Sequence, residues 1–270
     1  MTVLTPLNEE ELRNIFDESA IKIIDYMIKK SIFSQPEKME WQHDLPIQMP
    51  KEHIEQWLAQ ALNARSIWAW SYPVDIISSD NTWGADIKML SGRVDANWRL
   101  TNSDSWETSL WQNFRWAWNR LDQYFVAQEY ETIKNMRLDL IREKLNIPVV
   151  EHWLSQIYYF ILLRWGNYLY LLWMKVNLEE LSNVLVNVNR TSADSVFLDN
   201  YIDLDLGNVK IYKAKKRMEL RLHPKNWYDR WYMIPFEINL DNTEIAFRQY
   251  VEAWNDIMNY WKEKALRIFD

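Results

Sequence analysis

Apolar residues first recur at helical spacing in Leu12, Ile15, Phe16, Ile23, Met27 and Ile28. Asn8 and Glu11 precede this stripe at the spacing of a capping box, so the pattern predicts one helix from Glu9 to Lys29. A polar connection punctuated by Pro36, Pro46 and Pro50 follows. Ile54, Trp57, Leu58, Ala61 and Leu62 then predict a second helix over Lys51 to Ala64, and Ser66 to Tyr72 is short and aromatic, as a strand would be. Between Tyr72 and Leu90 the period falls to two, with Asp80 and Asn81 at the expected tip of a hairpin. Trp106, Leu110, Phe114, Trp118, Leu121 and Phe125 predict a long helix over Ser105 to Ala127, and Thr132 to Leu145 another.

The run Ile157 to Val176 is almost continuously apolar. Its Trp165-Gly166-Asn167 break and its wealth of Tyr, Phe, Ile and Leu predict a buried hairpin, with strands at 157–164 and 168–176. Leu178 to Val186 reads as helical. Val196 to Leu222 alternates around Gly207-Asn208 and predicts two strands joined there. Tyr232 to Ile238 reads as a strand, and Thr243 to Ile268, with Ile245, Phe247, Tyr250, Ile257 and Trp261, as a final helix. The expected fold is α/β (α+β), a mixed central sheet flanked by helices in a single domain, since no repeat and no clean linker divides the chain.

Charge inside the first hairpin changes this picture. A turn at Asp80-Asn81 sets Asp75 opposite Asp86 on one face of the sheet, with Lys88 two residues further on that face. Ala85, Ile87 and Met89 make the other, apolar face. Facing carboxylates repel, so the arrangement requires a compensating cation, either Lys88 or a divalent metal.

Pro73-Val74-Asp75 followed by Asp86-Ile87-Lys88, in a helix–strands–helix setting, resembles the core of the PD-(D/E)XK nucleases, the fold of many type II restriction endonucleases. One residue is inserted between the proline and the first aspartate. The resemblance covers residues 51 to 127. It implies a restriction-endonuclease-like catalytic core there, an N-terminal helical extension over 1–50, and over 128–270 the remaining sheet, DNA-recognition elements and a C-terminal helix. By the same resemblance Asp75, Asp86 and the Ile87 carbonyl would hold Mg²⁺, whose role is to polarise the scissile phosphate and acidify the attacking water. Lys88 would orient or deprotonate that water. Glu55, on the preceding helix, is a candidate further catalytic carboxylate, with Glu52 as its competitor. The implied activity is Mg²⁺-dependent cleavage of double-stranded DNA at a specific sequence, by a homodimer whose genetic partner is a DNA methyltransferase. A repair or phage DNA-processing nuclease of the same fold, or a non-catalytic protein gripping nucleic acid or glycan, is the alternative.

Composition narrows the chemistry further. The 270-residue chain has no cysteine, which excludes disulfides, thiolate zinc sites and cysteine nucleophiles. Four glycines leave no phosphate-binding Gly-rich loop, and His43, His53, His152 and His223 show no paired metal spacing. No leader opens the sequence, and the longest apolar run is broken by Arg164, Gly166 and Asn167, so a cytoplasmic protein with no membrane partner is expected. A net charge of -7 argues against polyanions, but Lys210, Lys213, Lys215, Lys216, Arg217, Arg221, Lys225 and Arg230 stand against only Glu219 and Asp229. That segment carries +6 and leaves -13 on the rest, a candidate DNA footprint spanning Lys210 to Lys225. Of the 17 tryptophans, Trp106 and Trp118 are expected in the core, while Trp111 and Trp116, with Arg115, are candidates for a groove.

Overall fold

A computed structural model describes residues 1–42, 49–67, 72–91, 101, 108–111, 118–165, 168–238 and 244–269. The chain opens with β1 (Leu4–Pro6), α1 (Glu9–Ile15) and α2 (Glu18–Phe33), then α3 (Lys51–Ala61), β2 (Ala64–Ser66), β3 (Ile76–Ser78), β4 (Trp83–Ser91) and β5 (Thr108–Trp111). Helices α4 (Trp118–Val126) and α5 (Tyr130–His152) lead to β6 (Gln156–Trp165) and β7 (Tyr168–Val176). After a 3₁₀ turn over Leu178–Asn183 come β8 (Leu185–Val186), β9 (Ser195–Asp199), β10 (Gly207–Tyr212), β11 (Met218–Leu222), α6 (Pro224–Asp229), β12 (Ile234–Glu237), α7 (Phe247–Glu252) and α8 (Ile257–Phe269).

The fold is mixed α/β around a central sheet ordered β1-β7-β6-β4-β3-β2, with β12 also pairing β7. Its centre is the buried hairpin that the apolar run predicts, β6 and β7, in register from Ile157↔Val176 to Trp165↔Tyr168. β4 runs parallel to β6 along its whole length, Trp83↔Gln156 to Ser91↔Arg164. Parallel neighbours need a crossover, and the segment from β5 through α5 supplies it. α1, α2, α3 and α8 cover the face carrying Ile76, Ala85, Ile87, Phe160 and Trp173; the opposite face, with Tyr159, Ile161, Leu163 and Leu90, belongs to a second core. α5 contacts both β6 and the strands β8 and β9 of a second, antiparallel sheet, β5-β11-β10-β9-β8. No helix among the described residues is long and apolar enough to cross a membrane.

Several elements differ from the sequence pattern for identifiable reasons. The capping box of Asn8 and Glu11 forms, but the first helix breaks at Phe16 because Asp17 caps a new one, its carboxylate accepting the Ala20 N–H at 2.7 Å. Thr108 to Trp111 is a strand where a helix is predicted, because pairing with β11 offers it a ladder; Trp118–Val126 is helical as predicted. Trp106, Phe114, Arg115 and Trp116 lie outside the described residues, as do Pro46 and most of the strand expected before Tyr72. The segment around 207 holds three strands, and Gly207 begins β10 rather than forming a turn. A Cβ there would stand 2.4 Å from the Arg221 carbonyl oxygen, so glycine serves close strand approach. Leu178 to Val186 is a 3₁₀ turn and a short strand, not an α-helix. The last helix divides at Trp254, whose φ of 59° is left-handed.

α5 continues past the predicted end at Leu145 through Pro148, which cannot donate to the Lys144 carbonyl. A proline inside a helix costs about 3 kcal/mol, and a fully buried aliphatic side chain contributes about 1.5–3 kcal/mol. Ile141 and Leu145, 1% and 0% exposed, are enough to offset it. The docking of this helix matters because it carries a lysine to the candidate site.

Candidate functional site

The β3–β4 hairpin closes through a turn over Ser79 to Thr82, in which Asp80 Oδ1 accepts the Thr82 N–H at 3.0 Å. Hydrogen bonds from Ser78 and Thr82 hold the Asp80 carboxyl down to about 2. The last paired residues are Ile77↔Gly84 and Ile76↔Ala85, and beyond them the regular pairing stops. Asp75 is where the ladder ends. Its N–H donates to the Ala85 carbonyl at 2.8 Å, its own carbonyl accepts the Ile67 N–H at 2.8 Å, and its Oδ2 accepts the Ile87 N–H at 2.6 Å. A strand residue sends its N–H and C=O to the same side. The Ile87 carbonyl therefore leaves β4 towards Asp75, away from the β6 ladder.

Asp86 is 3% exposed, on the face opposite Ala85 and Ile87. Oδ1 is ion-paired with Lys88, two residues along the same strand. Oδ2 accepts no hydrogen bond among the described residues and faces Lys144 Nζ of α5 at 3.9 Å. Burial pushes the Asp86 carboxyl up, but Lys88 and Lys144 together outweigh it and hold the group below its ordinary value. Tyr159, beside Asp86 in register, has its phenol pushed well up, first by burial and then by the nearby Tyr201 and Asp86.

Lys144 is the member of this group that sequence reading misses. Its signal is faint: a lysine beside Ile141 and Leu145 on a helix whose apolar stripe must be buried. Glu55 is half-buried on α3, which packs through Ile54 and Leu58 against the opposite face of the sheet from Asp86. The side chain of Glu52 lies outside the described residues.

Two carboxylates and a backbone carbonyl are hard oxygen donors suited to Mg²⁺, which keeps several waters and needs no all-protein cage. No group of three or more Asp, Glu, His or Cys side chains is placed to hold a metal ion among the described residues. The fit rests on Asp75, Asp86 and Ile87 alone, and Asp86 Oδ2, which accepts no hydrogen bond among the described residues, is the oxygen that would ligate such an ion.

The basic segment is largely engaged within the molecule. Lys210 is 9% exposed, with Nζ 4.0 Å from the centre of the Tyr212 ring; Arg221 donates to the Tyr212 hydroxyl at 3.2 Å. Lys215 pairs with Glu219 at 3.4 Å, Lys216 with Asp122, and Lys225 with Asp229. Lys213 is half-buried and Arg217 exposed. These cations belong to the second sheet, its β10–β11 turn and α6, not to the elements that carry Asp75, Asp86 and Lys88. Trp173 and Trp227 are fully buried, whereas Trp153, Trp231 and Trp254 stand 87%, 68% and 96% exposed, so the tryptophans do not act as one set. The side chains of Trp111 and Trp118 lie outside the described residues. Comparison with protein-family models, curated proteins and solved structures finds no match for this chain.

Proposed function

We propose that the protein is a Mg²⁺-dependent endodeoxyribonuclease of the PD-(D/E)XK type, acting as a type II restriction endonuclease on double-stranded DNA. The observation that supports this reading is the end of the β3–β4 hairpin: Asp75 accepting the Ile87 N–H, Lys88 against Asp86, and the Ile87 carbonyl on the Asp75 side. Supporting it is the order of elements around the hairpin, α3, β2, β3, β4, then β5, α4, α5 and a strand parallel to β4. Asp75, Asp86 and the Ile87 carbonyl would bind the metal, which supplies a polarised phosphate and a more acidic water when bound. Lys88 orients that water, accepts or passes its proton, and offsets the charge that grows on the phosphoryl oxygens. Arg217, exposed on the β10–β11 turn, is the clearest phosphate-contacting candidate of the basic segment; Lys213 and Lys215 flank it. A palindromic target would be met by a homodimer, with a DNA methyltransferase protecting the host's own sites.

Purified protein incubated with Mg²⁺ and unmethylated genomic DNA, with methylated DNA in parallel, tests the proposal. Discrete fragments that disappear with Asp86→Ala are expected. Progressive degradation would instead mark a processing nuclease. Uncut DNA in every condition, with Asp86→Ala changing no activity, overturns the assignment.

A further inference from the structure

The end of the β6–β7 hairpin carries a row of aromatic rings that the candidate site does not use. Trp165 and Tyr168 are opposed in the ladder and Tyr170 follows two residues on, so all three share one face of the sheet. Their ring centres lie 5.6 Å (Trp165) and 5.9 Å (Tyr168) from that of Tyr170. Tyr228 of α6 meets Tyr170 at 5.9 Å with ring planes at 82°, and Trp231 stands 6.5 Å from Tyr228 at 24°. The rings thus form two walls set nearly at right angles. Tyr170 is buried and anchors them, whereas Tyr168, Tyr228 and Trp231 are 39%, 46% and 68% exposed. Apolar area left in water adds nothing to folding stability, and Trp231 also holds a left-handed φ of 59°. Trp153 and Trp254 share that conformation and exposure, but neither stands against another ring among the described residues.

Charge selects the occupant. Glu237 is opposed to Tyr168 in the β7–β12 ladder, so its exposed side chain lies on the face of the row. The Glu237 carboxylate enters no ion pair or hydrogen bond among the described residues. The cations next to Tyr228 and Trp231 along the chain are already engaged, Lys225 by Asp229, and Arg230 by Asp205 at 2.7 Å and Asp203 at 3.5 Å. A phosphate arriving here meets a carboxylate; a cation meets that carboxylate and the negative faces of the rings. Guanidinium suits both, since it stacks flat on aromatic rings and donates two parallel hydrogen bonds to a carboxylate. We propose that Tyr168, Tyr228 and Trp231, with Glu237, form a docking surface for an arginine-bearing segment of a partner protein. The surface shares no side chain with the Asp86–Lys88 group, and the proposal does not rest on the nuclease reading.

Fluorescence anisotropy of a fluorescein-labelled alternating Gly-Arg octapeptide, titrated with the full-length protein without metal or DNA, tests the proposal. Saturable binding that weakens as salt rises is expected. Trp231→Ala should weaken it about tenfold and Glu237→Gln about threefold, while Trp254→Ala, at an exposed tryptophan without ring neighbours, leaves it unchanged. Glu237→Lys should abolish it, and decides the matter if Trp231→Ala impairs folding. Equal affinity in wild type, Trp231→Ala and Glu237→Lys marks unspecific attraction to an acidic chain and overturns the proposal, as does absence of binding. Displacement of the peptide by oligothymidylate or cellohexaose, with that ligand's own binding lost in Trp231→Ala, gives the row to nucleic acid or glycan instead. Self-association in sedimentation that Trp231→Ala removes gives it to a second copy of the chain, and either outcome overturns the partner proposed.

Discussion

Removal of Asp86 should destabilise the metal-free protein, although deleting a carboxylate from an acidic catalytic cluster ordinarily relieves repulsion. Asp86 is 3% exposed and faces two lysines whose side chains are only 18% and 14% exposed. A unit charge 3.9 Å from another, as Lys144 is from Oδ2, is worth about 4 kcal/mol at the effective dielectric of a protein, before desolvation is subtracted. Breaking a buried pair by removing one partner costs about 3–5 kcal/mol, and the lysines' partial access to water favours the lower end. Asp86→Ala is thus expected to lose about 3 kcal/mol, a fall in Tm of about 6–10 °C for a domain of this size. Urea unfolding in EDTA, followed by circular dichroism, measures it. The double variant Asp86→Ala/Lys144→Met should recover about 1 kcal/mol of the loss, since one of the stranded cations is gone. An unchanged or raised stability of Asp86→Ala would refute the claim that the lysines hold this carboxylate.

Lys88→Arg keeps the charge next to Asp86 but cannot give up a proton, so DNA cleavage should fall about 100-fold or more while Tm stays within a few degrees. Gly207→Ala would place a Cβ 2.4 Å from the Arg221 carbonyl oxygen, and the strand shift this forces should cost about 2–4 kcal/mol in urea unfolding. Asp80, held down to about 2 by Ser78 and Thr82, lies below its unfolded value, so its contribution is present above about pH 4 and lost as pH falls towards 2. The Tm difference between wild type and Asp80→Asn should shrink over that interval; a constant difference would count against the hydrogen-bonded turn.

The parts of the fold legible in the sequence are those whose partners lie nearby. Asp80 and Asn81 fix the first hairpin, and with it the shared face of Asp86 and Lys88 on β4, because turn chemistry and period-two alternation act over a few residues. The β6–β7 hairpin was equally readable from its Trp-Gly-Asn break. Thr108 to Trp111 was not: Leu110 suits a helical stripe with Trp106 and Phe114, and only the distant β11 makes it a strand. The break at Asp17 lies inside an unbroken apolar stripe, and the left-handed Trp254 is a residue type that rarely marks a helix end.

The same distinction runs through the candidate site. Its two aspartates and first lysine belong to one hairpin, but the second lysine arrives only when α5 docks between the sheets and β6 aligns with β4. Before that docking, Asp86 has the ammonium of Lys88 but not that of Lys144. Lys144 therefore ties closure of the long crossover to formation of the site: the helix that carries its ammonium also buries Ile141 and Leu145 against the sheet. Non-local contacts of this kind cannot be read from spacing, because the residues that meet share neither a turn nor a strand. What selects Lys144 is the physical requirement that a nearly buried Asp86, already paired on one oxygen, be faced by positive charge on the other.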